Sequence, residues 1–288
     1  MSRAPRPAAT VAAREGLDAL SAEGREALRA LILALADSKR LLGLRYAERM
    51  LGAPALEAGI AASSLAQDEW GHARLTYALL ADFGDDVRAL EHEREPGEYR
   101  SLDALDAGFA SWSALIAAAL LADTALSVQY AALGESRYAA LRNRVQKLLD
   151  EESFHWQYAA GWTRRLAAAP APRAELRRAV AWLLPQALRW FGREDEPGGA
   201  ALLREGMVRA GPDALRAELL ARVAPVLAEA GLTGEVGLVA GPDGDWSYAP
   251  PLDWAGWQPA ARRPVGSQPD AEVIARARGD KNRSLLLD

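Results

Sequence analysis

The stretch from Gln67 to His72 reads QDEWGH, and the stretch from Asp150 to His155 reads DEESFH. Each contains Glu-x-x-His within a segment whose apolar residues recur at the three- and four-residue spacing of a helix. Residues three apart share one face of a helix, so each carboxylate points the same way as its imidazole. Two such helices facing each other in a bundle bring both Glu/His pairs into one core, which is the arrangement of carboxylate-bound two-metal sites. The two stretches therefore predict an all-α four-helix bundle with a metal site inside it.

The sequence around these stretches predicts two helical hairpins joined by a longer crossover. Residues 17–230 are rich in Ala, Leu, Arg and Glu, which favour helices. The predicted bundle helices are followed by three more, the first kinked at Pro185. The predicted helices cover 17–51 with a break near Ser21–Gly24, 54–84, 103–134, 136–168, 172–192, 197–210 and 213–230, with a charged crossover at 85–100.

Both ends of the chain differ in composition from the helical residues 17–230. Residues 1–16 are rich in Pro, Ala and Arg, and we expect a mobile N-terminal arm. Residues 231–288 contain Gly-Pro-Asp-Gly, Pro-Pro and three tryptophans. They predict an irregular, turn-rich extension with room for one hairpin, packed on the same domain as residues 17–230.

Composition excludes several classes of function. The chain has 288 residues, of which 50% are hydrophobic and 25% charged, as in a globular protein. It has no cysteine, which excludes disulfides, thiolate metal sites and iron–sulfur clusters. Its net charge of −5 gives no basic face for nucleic acid. We also expect no secretory signal and no membrane-spanning helix, and hence a cytoplasmic protein.

A two-metal bundle needs one further carboxylate from the first helix of each hairpin. In an antiparallel hairpin, residues equally far from the turn lie at the same height. Reflection of Glu152 through the turn near Gly134–Arg137 reaches residues 120–123, where Asp123 is an isolated acid in an apolar stretch. Reflection of Glu69 through Pro54 reaches Lys39, so five of six ligand positions carry a suitable residue and the sixth carries a cation.

The acids nearest to Lys39 do not supply the missing ligand. Asp37 is two residues away and therefore lies on the opposite face of the helix. Glu48 is nine residues away, about 13 Å along the helix axis. The third histidine of the chain, His92, lies in the charged crossover, where we expect it to be solvated.

The sequence resembles the phenylacetic acid catabolism family, whose catalytic subunit, in phenylacetyl-CoA epoxidase, is a ferritin-like di-iron protein. The resemblance is carried by the two Glu-x-x-His stretches and by Asp123, and extends over Pro185 to Gly192 and over the region from Trp246 to Arg278. It implies a ferritin-like bundle with extra C-terminal helices. It also implies iron as the cofactor, with manganese as a further possibility.

The resemblance further implies an activity and partners. The family activates O2 at its metals and inserts one oxygen atom into the ring of an aromatic acyl-CoA. Its electrons come from a separate flavin/iron–sulfur reductase, and a companion structural subunit shares its fold. The implied metal ligands are Glu69, His72, Asp123, Glu152 and His155. We predict Glu69, Asp123 and Glu152 also as catalytic residues, together with Lys39, which occupies the place of a family glutamate.

Lys39 leaves three functions open, because the family has a glutamate at that place. Of these we expect an oxygenase subunit of the phenylacetyl-CoA 1,2-epoxidase type, with a scaffold subunit as the alternative. In an oxygenase, Lys39 either ligates a metal as a neutral amine or leaves one metal position weak. In a metal-poor scaffold subunit, its ammonium replaces the charge of a metal and pairs with Glu69 and Glu152. The third function is iron storage or peroxide scavenging.

Overall fold

The computed structural model describes residues 15–280, and the fold is all-α with two small antiparallel ribbons. Most of the predicted N-terminal arm, residues 1–14, lies outside the described residues. The helices are α1 (Glu15–Asp18), α2 (Ala22–Arg49), α3 (Leu56–Leu80), α4 (Val87–His92), α5 (Trp112–Ala118), α6 (Thr124–Leu133), α7 (Ala139–Ala167), α8 (Pro170–Arg189), α9 (Pro197–Arg204), α10 (Pro212–Glu229) and α11 (Ala271–Arg278). The strands are β1 (Leu238–Ala240), β2 (Trp246–Tyr248), β3 (Trp257–Gln258) and β4 (Arg263–Pro264).

The core is the predicted four-helix bundle. Helices α2 and α3 form the first hairpin, and α5–α6 with α7 form the second. The predicted break before α2 is confirmed: Ser21 caps the helix, and its side chain accepts a hydrogen bond from the Gly24 amide at 3.0 Å. The first hairpin ends near Gly84, whose φ of 98° is a left-handed conformation that suits glycine.

The third bundle helix differs most from prediction. It begins at Trp112 rather than near 103, because Ser111 caps it and accepts a hydrogen bond from the Ala114 amide at 3.2 Å. Residues Asp103–Leu105 instead form a separate 3-10 turn. Between α5 and α6, the five residues Ala119–Asp123 adopt a π-helix, a feature that no periodicity in the sequence indicated.

The continuous stretch Trp112–Leu133 is long and apolar enough to cross a membrane, contrary to the expectation from sequence. In its most apolar window 89% of the residues are buried inside the protein. Such burial is what the central helix of a soluble bundle shows, and length with composition alone is weak evidence for a membrane span.

Helices α8 to α10 follow the predicted order. Helix α8 continues through Pro185. Helix α9 ends at Arg204, six residues earlier than predicted, and Gly206 with a φ of 70° turns the chain just beyond it.

The C-terminal region is more ordered than predicted. It forms two hairpins instead of one, with Leu238 opposite Tyr248 in the first and Trp257 opposite Pro264 in the second, followed by helix α11. Arg263 donates to the Tyr99 carbonyl at 3.2 Å and forms an ion pair with Asp106, which joins the extension to the crossover and to the segment that follows it. That residues 231–288 belong to the same domain as residues 17–230 stays a prediction.

Candidate functional site

All four bundle helices contribute a side chain to one buried cluster of charged groups. Each of the six positions picked out by the sequence lies in it, and each has no more than 4% of its surface exposed. The cluster comprises Lys39 from α2, Glu69 and His72 from α3, Asp123 from the π-helical segment, and Glu152 and His155 from α7.

Lys39 lies at the centre of this cluster. Its Nζ atom donates to Asp123 Oδ1 at 2.6 Å and to Glu152 Oε1 at 2.5 Å. It also lies 3.1 Å from both carboxylate oxygens of Glu69. One ammonium group therefore holds a carboxylate from each of the other three bundle helices.

The two imidazoles border the carboxylates. His155 Nδ1 lies 3.2 Å from Asp123 Oδ2 and 3.2 Å from Glu69 Oε1. His72 Nδ1 lies 3.0 Å from Glu152 Oε1, out of line for a hydrogen bond. The ring centroids of the two histidines are 6.0 Å apart.

Each imidazole is also held from outside by an acid on the facing helix. His72 Nε2 lies 2.8 Å from Glu151 Oε2, and His155 Nε2 lies 3.4 Å from Asp68 Oδ2. Both acids are partly exposed, so they connect the buried rings to solvent. They lie inside the two quoted stretches, but no pattern in those stretches predicted a role for them.

Two hydroxyl groups complete the cluster and were not predicted. The Tyr46 hydroxyl donates to Asp123 Oδ2 at 3.3 Å, and Ser127 Oγ lies 2.8 Å from Glu152 Oε2. Their spacing is the signal that would have found them. Tyr46 is seven residues after Lys39, and Ser127 is four residues after Asp123, so each shares a helix face with a predicted residue.

The charged groups of the cluster determine one another's protonation states. Burial by itself would lower the pKa of Lys39, but Asp123, Glu152 and Glu69 outweigh burial and raise that pKa well above its usual value. Burial would raise the pKa of Asp123, but Lys39 and His155 hold it well below its usual range. Lys39 is therefore an ammonium and Asp123 a carboxylate throughout the neutral pH range.

The remaining groups respond in the same way to burial and charge. Burial, together with the neighbouring Asp123, raises the pKa of Glu69 to about 7. Burial would lower the pKa of His155, but its hydrogen bonds to Asp123 and Glu69 raise it to about 11. At neutral pH the cluster thus balances its acids with two cations, Lys39 and His155.

The donor atoms suit a metal ion, but the position of Lys39 does not. Glu69, Asp123, Glu152 and His155 each place one ligand atom within 4.8 Å of the others, and carboxylate with imidazole is a donor set for iron or manganese. The oxygens that would coordinate the ion are those that contact the ammonium. Two unit charges of like sign 4 Å apart repel by about 4 kcal/mol at an effective dielectric of 20. With Lys39 in place, the cluster therefore does not fit a divalent metal.

A cavity of about 440 Å3 borders the cluster on the side of α10. Asp123, Glu152 and His155 form one part of its wall, and Trp156 and Arg222 form another. Most of the wall surface is apolar, so the cavity offers an apolar ligand a place next to the charged groups.

The other residues that the sequence analysis considered lie away from this cluster. Asp37 is buried, but it accepts hydrogen bonds from the Arg94 guanidinium and the Tyr77 hydroxyl on the opposite side of α2. His92 is 43% exposed and lies 3.4 Å from Glu91 Oε2, in accord with the prediction of a solvated side chain.

Comparison with known proteins identifies the family of the chain. Among curated proteins, no sequence matches the chain. The family described as phenylacetic acid catabolic protein matches residues 11–251, which is most of the chain. The chain therefore belongs to the phenylacetic acid catabolic protein family.

Proposed function

We propose that this chain is a subunit of an oxygenase complex of phenylacetic acid catabolism in which Lys39 takes the place of the metal charge. In this role the chain supports the assembly and does not itself activate oxygen. The companion subunits would carry the metal, the aromatic acyl-CoA substrate and the contact with a reductase. Family membership supports the pathway, and the site geometry supports the specific role.

One observation carries the proposal: the fully buried Lys39 ammonium contacts carboxylates from three other helices at 2.5 to 3.1 Å. A cluster of buried carboxylates is unstable without a compensating cation, because water no longer solvates the charges. In a metal-binding bundle the metal supplies that charge. Here the polypeptide supplies it, so the bundle is complete without a metal.

A second function, that of a metal-dependent oxygenase, is favoured by the cavity beside the cluster. Its largely apolar wall reaches Asp123, Glu152 and His155, where a substrate ring would meet the reactive centre. When bound, a metal centre would supply activation of O2. For this function Lys39 must leave the cluster or lose its proton, since its ammonium competes for the same oxygens.

Metal analysis of purified protein decides between these functions. The wild type and the variant Lys39→Glu are produced in iron-replete medium, purified alike and analysed for iron and manganese by mass spectrometry. We expect the wild type to hold far less than one metal ion per chain. We expect Lys39→Glu to hold at least one, because it removes the ammonium and adds the fourth carboxylate. Lys147→Glu has the same charge change on an exposed lysine and serves as the control.

Thermal unfolding with and without Fe(II) or Mn(II) gives a second readout that does not need enzymatic activity. A ligand that binds the folded state alone raises the melting temperature. The melting temperature of the wild type should not change, and that of Lys39→Glu should rise. One or more tightly held metal ions per chain in the wild type would contradict the proposal and favour the oxygenase.

A further inference from the structure

A second cavity, of about 610 Å3, opens on the outer side of the α2–α3 hairpin, against α4 and α11. It shares no residue with the lysine-centred cluster or with the cavity beside it. Its charged side chains are three arginines and one glutamate, namely Arg40, Arg74, Arg276 and Glu91. The cavity is therefore positive in a chain whose net charge is negative.

One of the three arginines offers donors that the surrounding acids do not use. Arg74 is exposed and forms no ion pair with any residue in the range 15–280. Arg40 is already partly engaged, because its Nη2 donates to the Ala277 carbonyl and its Nη1 lies 3.8 Å from Glu91 Oε2. Arg276 is held by Glu48 and Glu272. Guanidinium N–H groups without acceptors match the oxygens of a phosphate.

An aromatic surface lies beside these donors. Trp70 lines the cavity and is 40% exposed, which is unusual for so large an apolar ring. Its indole rests on Gly43, where an added Cβ would lie only 2.6 Å from the ring nitrogen. Gly71, the next residue after Trp70, has open space where its side chain would be. Gly43 thus leaves room for the indole ring to pack on α2, and Gly71 leaves the cavity open beside the ring.

We propose that this cavity binds a phosphorylated ligand that carries a planar ring, that is, a ligand of the nucleotide class. Arg74 would bind the phosphate oxygens, and the charge of Arg40 at the cavity wall would add to the attraction. The ring of the ligand would stack on Trp70. The volume lies within the range of cavities that hold small organic ligands. The proposal does not depend on the function proposed for the lysine-centred cluster, because the two sites share no residue.

Isothermal titration of the full chain with ADP tests the proposal. We expect saturable binding in the micromolar to millimolar range, and weaker binding of both pyrophosphate, which lacks the ring, and adenosine, which lacks the phosphates. Coenzyme A, titrated in parallel, shows whether a nucleotide within a larger molecule is also accepted. Arg74→Ala and Trp70→Leu should each weaken ADP binding by about tenfold or more, which corresponds to about 1.4 kcal/mol.

Arg144→Ala is the matched control, because Arg144 forms no ion pair with a described residue and lies outside this cavity. Its affinity for ADP should equal that of the wild type. Far-UV circular dichroism verifies that each variant is folded, and the exposed Arg74 can be replaced without disturbing the core. Absence of ADP binding at about 1 mM, or binding that Arg74→Ala leaves unchanged, overturns the proposal.

Discussion

Lys39 Nζ on α2 and Asp123 Oδ1 in the π-helical segment lie 2.6 Å apart, although 84 residues separate them in the sequence. The π-helical segment ends at Asp123, and such a segment inserts an extra residue into a helical turn and changes the direction of the side chains after it. The carboxylate thereby faces the bundle axis and meets the ammonium. Segments of this kind are frequent at functional sites, and here one supplies a charged group to the core.

Removal of the Lys39 ammonium should destabilise the fold strongly. In Lys39→Met the side chain keeps its approximate length, but Glu69, Asp123 and Glu152 lose the cation that they share. Breaking a buried ion pair by removing one partner costs about 3–5 kcal/mol. Urea unfolding should show this loss in the free energy of unfolding, while Lys147→Met, at an exposed lysine, should differ from the wild type by less than about 0.5 kcal/mol. An equally small loss in Lys39→Met would mean that its ammonium does not hold the cluster together.

Because His155 is protonated in the folded chain, the free energy of unfolding should fall as pH rises into the alkaline range. Its pKa of about 11 in the folded chain is above the usual 6.5, so the stabilisation is complete below pH 6.5 and is lost as pH rises through 11. Each proton contributes at most about 1.4 kcal/mol per pH unit. Between pH 7 and 10 the free energy of unfolding should fall by about 2–4 kcal/mol more in the wild type than in His155→Gln. Parallel pH profiles of the two proteins would show that His155 is neutral in the folded state.

More of the site than of the surrounding fold could be predicted from the sequence. Glu-x-x-His spacing and reflection through the hairpin turns depend only on helix geometry, and they located the residues that meet in the cluster. The π-helix and the cap at Ser111 depend on local hydrogen bonds in an apolar stretch, which periodicity does not report. Likewise, the second C-terminal hairpin and α11 form against the crossover and are set by tertiary packing. Arg263 donates to the Tyr99 carbonyl, and Arg278 donates to the Arg94 carbonyl.

For Asp37, one property could be predicted from the sequence and another could not. Its spacing from Lys39 correctly excluded it from the cluster, but its burial was not predicted, because its partners come from the distant crossover. It accepts hydrogen bonds from the Arg94 side chain and from the Arg100 amide at 2.7 Å. This network attaches the crossover to the first hairpin.

Asp37→Ala should therefore destabilise the protein by about 3–5 kcal/mol, because the buried Arg94 guanidinium loses its carboxylate. Asp195→Ala is the matched control, since Asp195 pairs with Arg193 at an exposed position where an ion pair contributes little. Urea unfolding of the two variants gives the comparison. Similar losses in both would show that the Asp37 network does not fasten the crossover.

Two glycines in the first hairpin should respond in opposite ways to alanine. At Gly43 an added Cβ would lie 2.6 Å from the Trp70 indole, so the ring must shift, and overpacking of this kind costs about 1–3 kcal/mol. At Gly71 the same Cβ meets nothing within 4 Å, so Gly71→Ala should gain the higher helix propensity of alanine, about 1 kcal/mol. Thermal melting should place Gly43→Ala below the wild type and Gly71→Ala above it. If Gly43→Ala is as stable as the wild type, Trp70 is not fixed on Gly43 and does not form a rigid wall of the outer cavity.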